Sequence, residues 1–344
     1  MPPWRERKAA ITKGRRRVRR IRKWAEHRRS GIVQHRLRLV CRQAVSFFDR
    51  CALGPRFSGT TLYNIRMQAS ATFVDSFARD GYAVACGLFS EEECQRFSDY
   101  FTSMVERGGD GWSEGEVDPN HPDPLRRYPR LLQPHRGDDV ALGFMIDPRL
   151  RDHLTAAVGA EPFAVQTMVY FKPPGARGQN LHQDNMYLLV QPGTCIAAWL
   201  ALDDCDEENG CMVLVPETKD LPIMCQVETP GLDEEQWGNT ETPLPPGAQP
   251  VPMTMKRGDV LFFNGSVIHG SFKNRSNRFR RTLIGHYIVA EANQVAKYYF
   301  PVFRMDGSIV DSGIDVSESG GPCGTYGDGE VVLNGAFGPA KAAH

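Results

Sequence analysis

A chain of 344 residues, 41% apolar and 24% charged, has the composition of a soluble globular protein of one large domain or two ordinary ones. Its formal net charge of zero hides an asymmetry: residues 1–50 carry 17 Lys+Arg against three acids, so residues 51–344 carry a net of −14. No apolar run is long enough to cross a membrane and no apolar core of a secretory signal follows the N-terminal charges, while nine cysteines, an odd number without a CxxC pair, argue against a disulfide framework and for a reducing, cytoplasmic setting.

Residues 1–66, with "RRRVRRIRKW", read as a basic, loosely ordered extension. Three uses compete for it: an arm for nucleic acid or another anionic surface, an Arg-rich organelle transit peptide, or a dispensable segment upstream of Met67. The last is preferred, because the body that follows needs nothing from it. Phe73 to Arg79 has helical texture, with Gly81 as its stop, and "YAVACG" is a short strand. Ser90 with Glu93 makes a capping box, which predicts a helix to about Arg107, ended by Gly108 and Gly109. Residues 110–137 read as proline-rich loop, and Asp147 to Ala157 as another helix.

From residue 160 the texture becomes that of strands. The runs 163–172, 181–190, 195–204, 211–216, 259–265 and 280–289 are apolar or alternating, and turns such as "KPPGARG" and "EENG" separate them. Many short strands at this spacing predict an antiparallel sandwich or barrel, so the fold class is mainly β with flanking helices. Residues 217–250 are poor in apolar residues and form a long excursion, a candidate lid. The segment 306–344 reads as a Gly-rich, partly loose tail.

The chemistry starts at "NLHQDNMY", 180–187. If this run is a strand, His182 and Asp184 share one face. Alone, the pair is as easily a polar strand face as two metal ligands. His269 follows 87 residues later, after "RGDVLFFNGSVI", and Arg280 opens the next strand 11 residues beyond it. Two histidines and a carboxylate are a common facial ligand set for non-haem iron, and arginine offers a planar fork to a carboxylate. The four residues together point to one constellation. Arg281, facing the other way from Arg280, serves as its internal control. His286 shares the face of Arg280 and reads as a buried structural histidine. His121, His135 and His153 read as solvated or peripheral, and Tyr187 as pocket wall.

The motifs "VYFKPPG", "LHQDN", "AAWLALDD", "NGCMVLVP", "GDVLFFNGSVIHGS" and "NRFRR", in that order, resemble the phytanoyl-CoA dioxygenase family of Fe(II)/2-oxoglutarate oxygenases. The likeness runs over roughly 67–305. It implies a double-stranded β-helix, a jelly-roll barrel, as the catalytic domain. It implies that His182, Asp184 and His269 hold Fe(II) and that Arg280 clamps the distal carboxylate of 2-oxoglutarate. It also implies a bond from Ser271 to that carboxylate, and pocket-lining places for Trp199 and Met168, residues that could equally be plain core. With O₂, such an enzyme hydroxylates an unactivated C–H of a small-molecule or acyl substrate and releases succinate and CO₂. Because Asp184 is retained where related halogenases lack a carboxylate, hydroxylation is expected rather than halogenation. The chain departs from the family at "PETK", 216–219, where a "PGSH"-like turn is common. Two rival readings stand beside this one: a His₂-carboxylate zinc hydrolase, which the ligand set permits, and a nucleic-acid-associated binding protein with a degenerate barrel, for which only the basic arm speaks.

Overall fold

The computed structural model describes residues 69–229, 235–319, 321–327 and 330–336. The basic segment 1–66 lies outside them. The first helix, α1 (Ala71–Asp80), is fixed at both ends by local chemistry. The Ser70 hydroxyl accepts the Phe73 N–H, and Gly81, at φ 78°, returns its N–H to the Phe77 carbonyl. That left-handed turn is where glycine costs least. Phe73 and Phe77 then lie on one face and are buried, each contributing about 1.5–3 kcal/mol. The strand β1 (Tyr82–Ala85) follows, then α2 (Glu91–Glu106) with its expected capping box. The stretch expected to be loop is more ordered: a short α3 (Pro124–Arg127) and a two-residue β2 (Leu131–Leu132) interrupt it. Two further helices, α4 (Asp139–Met145) and α5 (Pro148–Val158), complete the helical layer. Arg149 ties them to α2 by pairing with Glu93 and with Asp147.

The remaining elements in chain order are β3 (Phe163–Lys172), β4 (Gly178–His182), the single-turn α6 (Asn185–Leu188), β5 (Cys195–Ala201), β6 (Met212–Leu214), β7 (Val227–Glu228), β8 (Gln236–Trp237) and β9 (Thr240–Glu241). They continue through β10 (Val251–Met253), β11 (Val260–Asn264), β12 (His269–Ser271), β13 (Arg280–Ile288), β14 (Gln294–Ala296), β15 (Asp315–Ser317), β16 (Pro322–Tyr326) and β17 (Val331–Ala336). One antiparallel sheet has the order β1-β11-β5-β13-β3-β2, and a second has β10-β6-β12-β4-β8. Period-two alternation sorts the larger sheet's side chains. Ile196, Ala198, Leu200, Phe262, Leu283 and Tyr287 pack against the helices. Ala197, Trp199, Leu261, Phe263 and Ile284 face Met212, Leu214 and Met253 of the smaller sheet. The fold is therefore mainly β with a helical layer, as expected. Among the described residues no strand is shared by the two sheets, so they form two facing layers and not the expected closed barrel.

Three further expectations change. The predicted strand 181–190 ends at His182, and Asp184 has helical backbone angles as the residue before α6. The excursion 217–250 is fastened to β4: β8 pairs with it in parallel, and the Asn180 amide donates to Thr229, Gly238 and Thr240 oxygens. The tail carries β15–β17, and Cys323 is joined to Cys225 by a disulfide across 98 residues. Cysteine spacing misses such a bridge because its partners meet only through the fold. The pairing removes the cysteine-based argument for a reducing compartment.

The "PETK" turn puts Glu217 at φ 63°, a region that disfavours any side chain by about 1–2 kcal/mol. Glu217 is exposed. Glu217→Gly is expected to stabilise the protein by about 1 kcal/mol, read as a raised thermal midpoint. An unchanged or lowered midpoint would contradict this source of strain.

Candidate metal centre

His182 ends β4 and His269 opens β12, and the two are direct partners in the antiparallel pairing of these strands. Their ring centroids lie 4.1 Å apart. After His182 the chain turns inward through Gln183, so Asp184 reaches the same point from a turn and not along a strand face. Its Oδ1 stands 3.6 Å from His182 Nε2 and 3.4 Å from His269 Nε2. One ligand atom from each residue falls within 4.8 Å of the others, and all three residues are buried.

The hydrogen bonds around the cluster set its protonation. Nδ1 of His182 donates to the Asn180 carbonyl and Nδ1 of His269 to the Val267 carbonyl, both at 2.9 Å. A carbonyl only accepts, so in the neutral rings the lone pair is on Nε2 and faces Asp184. The second Asp184 oxygen, Oδ2, is 3.2 Å from His286 Nε2, which must donate to it. Burial opposes the charged carboxylate, but its interactions with His269 and then His286 outweigh that cost and hold Asp184 well below the usual carboxylate range. Burial, then the neighbouring His269, pushes His182 down to about 3. Burial also opposes charge on His269, yet Asp184 wins there and raises it. A carboxylate oxygen facing two imidazole lone pairs is an arrangement that calls for a cation, and a divalent metal fits the donor set.

Gln183, between two of the nominated ligands, is a residue the sequence reading missed. Its amide nitrogen donates to the Pro222 and Ser266 carbonyls, and its Oε1 accepts the Met224 N–H at 2.7 Å. This fully satisfied, buried amide braces the ligand turn against the excursion and against the approach to His269. Asn185 adds a second brace, donating its N–H to the Gly265 carbonyl. A lone glutamine inside an HxD pattern carries no signal of such a role.

All seven nominated residues, His182, Asp184, His269, Arg280, Ser271, Trp199 and Met168, line one cavity of about 40 Å³, and His286 joins them. Arg280 is buried. Its Nε donates to the Gly210 carbonyl, and its guanidinium lies 5.4 Å from the Trp199 ring centre. Among the described residues it has no carboxylate partner. Arg281, the control, faces the other way and forms an ion pair with Asp203. Tyr187 sits edge-on to His182, with ring centres 6.0 Å apart. A second cavity of about 160 Å³ shares Tyr170, Gln179, Ser271 and Arg280 with the first and adds Arg130 and Lys172. Two distant histidines differ from expectation: His135 and His153 are buried, not solvated. His135 contacts the Thr167 hydroxyl, and His153 donates to the Arg149 carbonyl. Burial pushes His135 down to about 3.

A sequence model of the phytanoyl-CoA dioxygenase family matches residues 77–282, a span that holds all seven. The peroxisomal phytanoyl-CoA dioxygenase of Bos taurus is 26% identical over 234 residues, 63% of this chain and 67% of that protein. The chain thus spans about two thirds of the length of such curated relatives. Among solved structures, the epimerase SnoN in complex with Fe³⁺, alpha-ketoglutarate and nogalamycin RO has a TM-score of 0.53 at 19% identity. The alignment covers 76% of this chain and 97% of that one. The carbocyclase SnoK of nogalamycin biosynthesis has a TM-score of 0.52 at 21% identity, covering 67% and 88%. At such identities these likenesses show the fold.

His182→Ala, Asp184→Ala and His269→Ala should each abolish stoichiometric divalent-metal binding in titration calorimetry, whereas Arg281→Ala should leave it intact. His286→Phe, which frees one Asp184 oxygen, should weaken metal binding by about 10–100-fold. Wild-type affinity in that variant would show that Asp184 is oriented without it.

Proposed function

The chain belongs to the phytanoyl-CoA dioxygenase family of Fe(II)/2-oxoglutarate-dependent oxygenases, and from that premise we propose that it hydroxylates an unactivated C–H bond of a small-molecule or acyl substrate. The observation that carries this reading is a single cavity that joins the buried two-His, one-Asp cluster to a buried guanidinium without a carboxylate partner among the described residues. Iron(II), 2-oxoglutarate and O₂ together supply the oxidation of the C–H bond, with succinate and CO₂ as co-products.

The chain's own residues have separable tasks. His182 and His269 would hold the metal through Nε2 and Asp184 through Oδ1, while His286 occupies the other carboxylate oxygen. Three such ligands leave coordination positions for exchangeable groups. Arg280 offers a planar pair of donors to the distal carboxylate of 2-oxoglutarate, and Trp199 supports the guanidinium face. Ser271 adds a hydroxyl at the same place. Met168, Phe263 and Ile284 give the cavity apolar walls that keep water out and strengthen each of these charge interactions. Arg280 also favours this reading over a zinc hydrolase, because a buried planar fork without a carboxylate partner among the described residues suits a co-substrate carboxylate.

On the same reading the facing sheets correspond to the family's double-stranded β-helix. Residues 67–305 make the catalytic domain and 306–344 a tail, and 217–250 covers the site beside β4. The ties from Gln183 and Asn180 to that segment support the last assignment.

The test is formation of succinate from 2-oxoglutarate with Fe(II) and O₂. Arg280→Ala should raise the KM for 2-oxoglutarate by about 10–100-fold, while Arg281→Ala leaves it within about twofold and lowers stability through Asp203. Equal effects of the two substitutions on KM would sink the assignment of Arg280. Absence of 2-oxoglutarate binding by the metal-loaded protein would sink the proposal as a whole.

A further inference from the structure

Lys172 is a second buried cation beside Arg280, and among the described residues it has no anionic partner. The two residues are direct partners across β3 and β13, so two positive side chains start from opposed positions. Like charges placed so are destabilising, and more so away from water. Both are buried, and both line the larger cavity together with Ser271. Among the described residues neither has a carboxylate partner. The Lys172 ammonium donates to the Ser271 hydroxyl at 2.8 Å and to the Phe272 carbonyl. Burial, and then the charge of Arg280, lowers its proton affinity well below that of an ordinary lysine. An anion bound between the two would remove that penalty.

The bonds at Ser271 add direction. Its oxygen accepts from Lys172 Nζ and also from the Gln179 N–H at 3.1 Å. A hydroxyl that accepts twice has one hydrogen left to give. The Gln179 N–H cannot receive it and neither can the Lys172 ammonium, so with Lys172 charged Ser271 is left to donate to an acceptor in the cavity it shares with Arg280.

We propose that Lys172 is a positioning residue for the co-substrate: it fixes Ser271 as a donor and adds a second positive charge, so that Lys172, Ser271 and Arg280 together select a 2-oxo acid with a distal carboxylate. The inference rests on the 2-oxoglutarate reading above and assigns the choice of dicarboxylate to three residues on three strands.

The experiment compares 2-oxoglutarate with 2-oxopentanoate, which has the same chain length and no distal carboxylate. Both are titrated calorimetrically into the full-length protein loaded with Mn(II), which binds without turnover. Wild type should prefer 2-oxoglutarate. Lys172→Met should weaken 2-oxoglutarate by about tenfold or more and leave 2-oxopentanoate and Mn(II) affinity within about twofold. Lys172→Gln keeps a donor to Ser271 without the charge and should fall between Lys172→Met and wild type. The double variant Lys172→Met with Ser271→Ala should lose less than the two single losses combined, as expected of residues acting through one another. Equal loss for both oxo acids, or unchanged 2-oxoglutarate affinity in Lys172→Met, would overturn the inference. If wild type binds neither oxo acid, it is the 2-oxoglutarate reading that fails.

Discussion

The Asp184 carboxylate is buried between two β-sheets, and much of the site follows from keeping it charged there. A lone carboxylate in such a place would take up a proton. Here His269 and His286 stand against its two oxygens, with His182 beside one of them, and the interactions with His269 and His286 exceed the cost of burial. Each imidazole comes from a different strand, β4, β12 or β13, so the charge cannot be satisfied until both sheets are in place. Gln183 and Asn185 then hold the turn that carries Asp184. The candidate metal centre and the tertiary fold are in this sense one problem with one solution.

A second buried electrostatic problem lies beside it. Arg280 lines the cavity of Asp184 and the imidazoles, and with Lys172 it also lines the larger cavity, so positive charge stands next to lone pairs and negative charge. A molecule with a metal-chelating end and an anionic end would satisfy both. The apolar side chains between, from Trp199 to Ile284, supply the low dielectric that makes each charge selective. The excursion after β6 belongs to this design, because Asn180 and Gln183 bind its backbone directly to the ligand strand.

Much of this was legible in the residues. The Ser90–Glu93 capping box, the Gly81 stop and the alternating runs of β3, β5, β11 and β13 are local signals, and local physics decides them. The grouping of His182, Asp184, His269 and Arg280 was legible as well, though not its path: a strand through Asp184 was expected, while the chain turns there and α6 begins. The histidine and the carboxylate still converge, because a turn toward the interior serves as well as a strand face. Less was legible where a role depends on a partner far away. His286 is one polar residue on a buried strand until Asp184 arrives 102 positions off. Lys172 in "FKPPG" carries no local signal of a role until β13 sets Arg280 opposite it. Cys225 and Cys323 have no spacing pattern, so their bridge escaped the cysteine count.

The sequence by itself determined the kinds of chemistry present: imidazoles, a carboxylate, a guanidinium fork, and apolar periods that make two-faced strands. These follow from side-chain identity and from periods of two and 3.6, which need no knowledge of partners. Only the tertiary structure decided which atoms face which. Strand register made His182 and His269 neighbours, turned Arg281 to Asp203 and away from the cavity, and set side by side two cations that have no carboxylate partner among the described residues. The reason is that register is fixed by burial of whole strand faces at once, a collective choice to which no single residue in the sequence testifies.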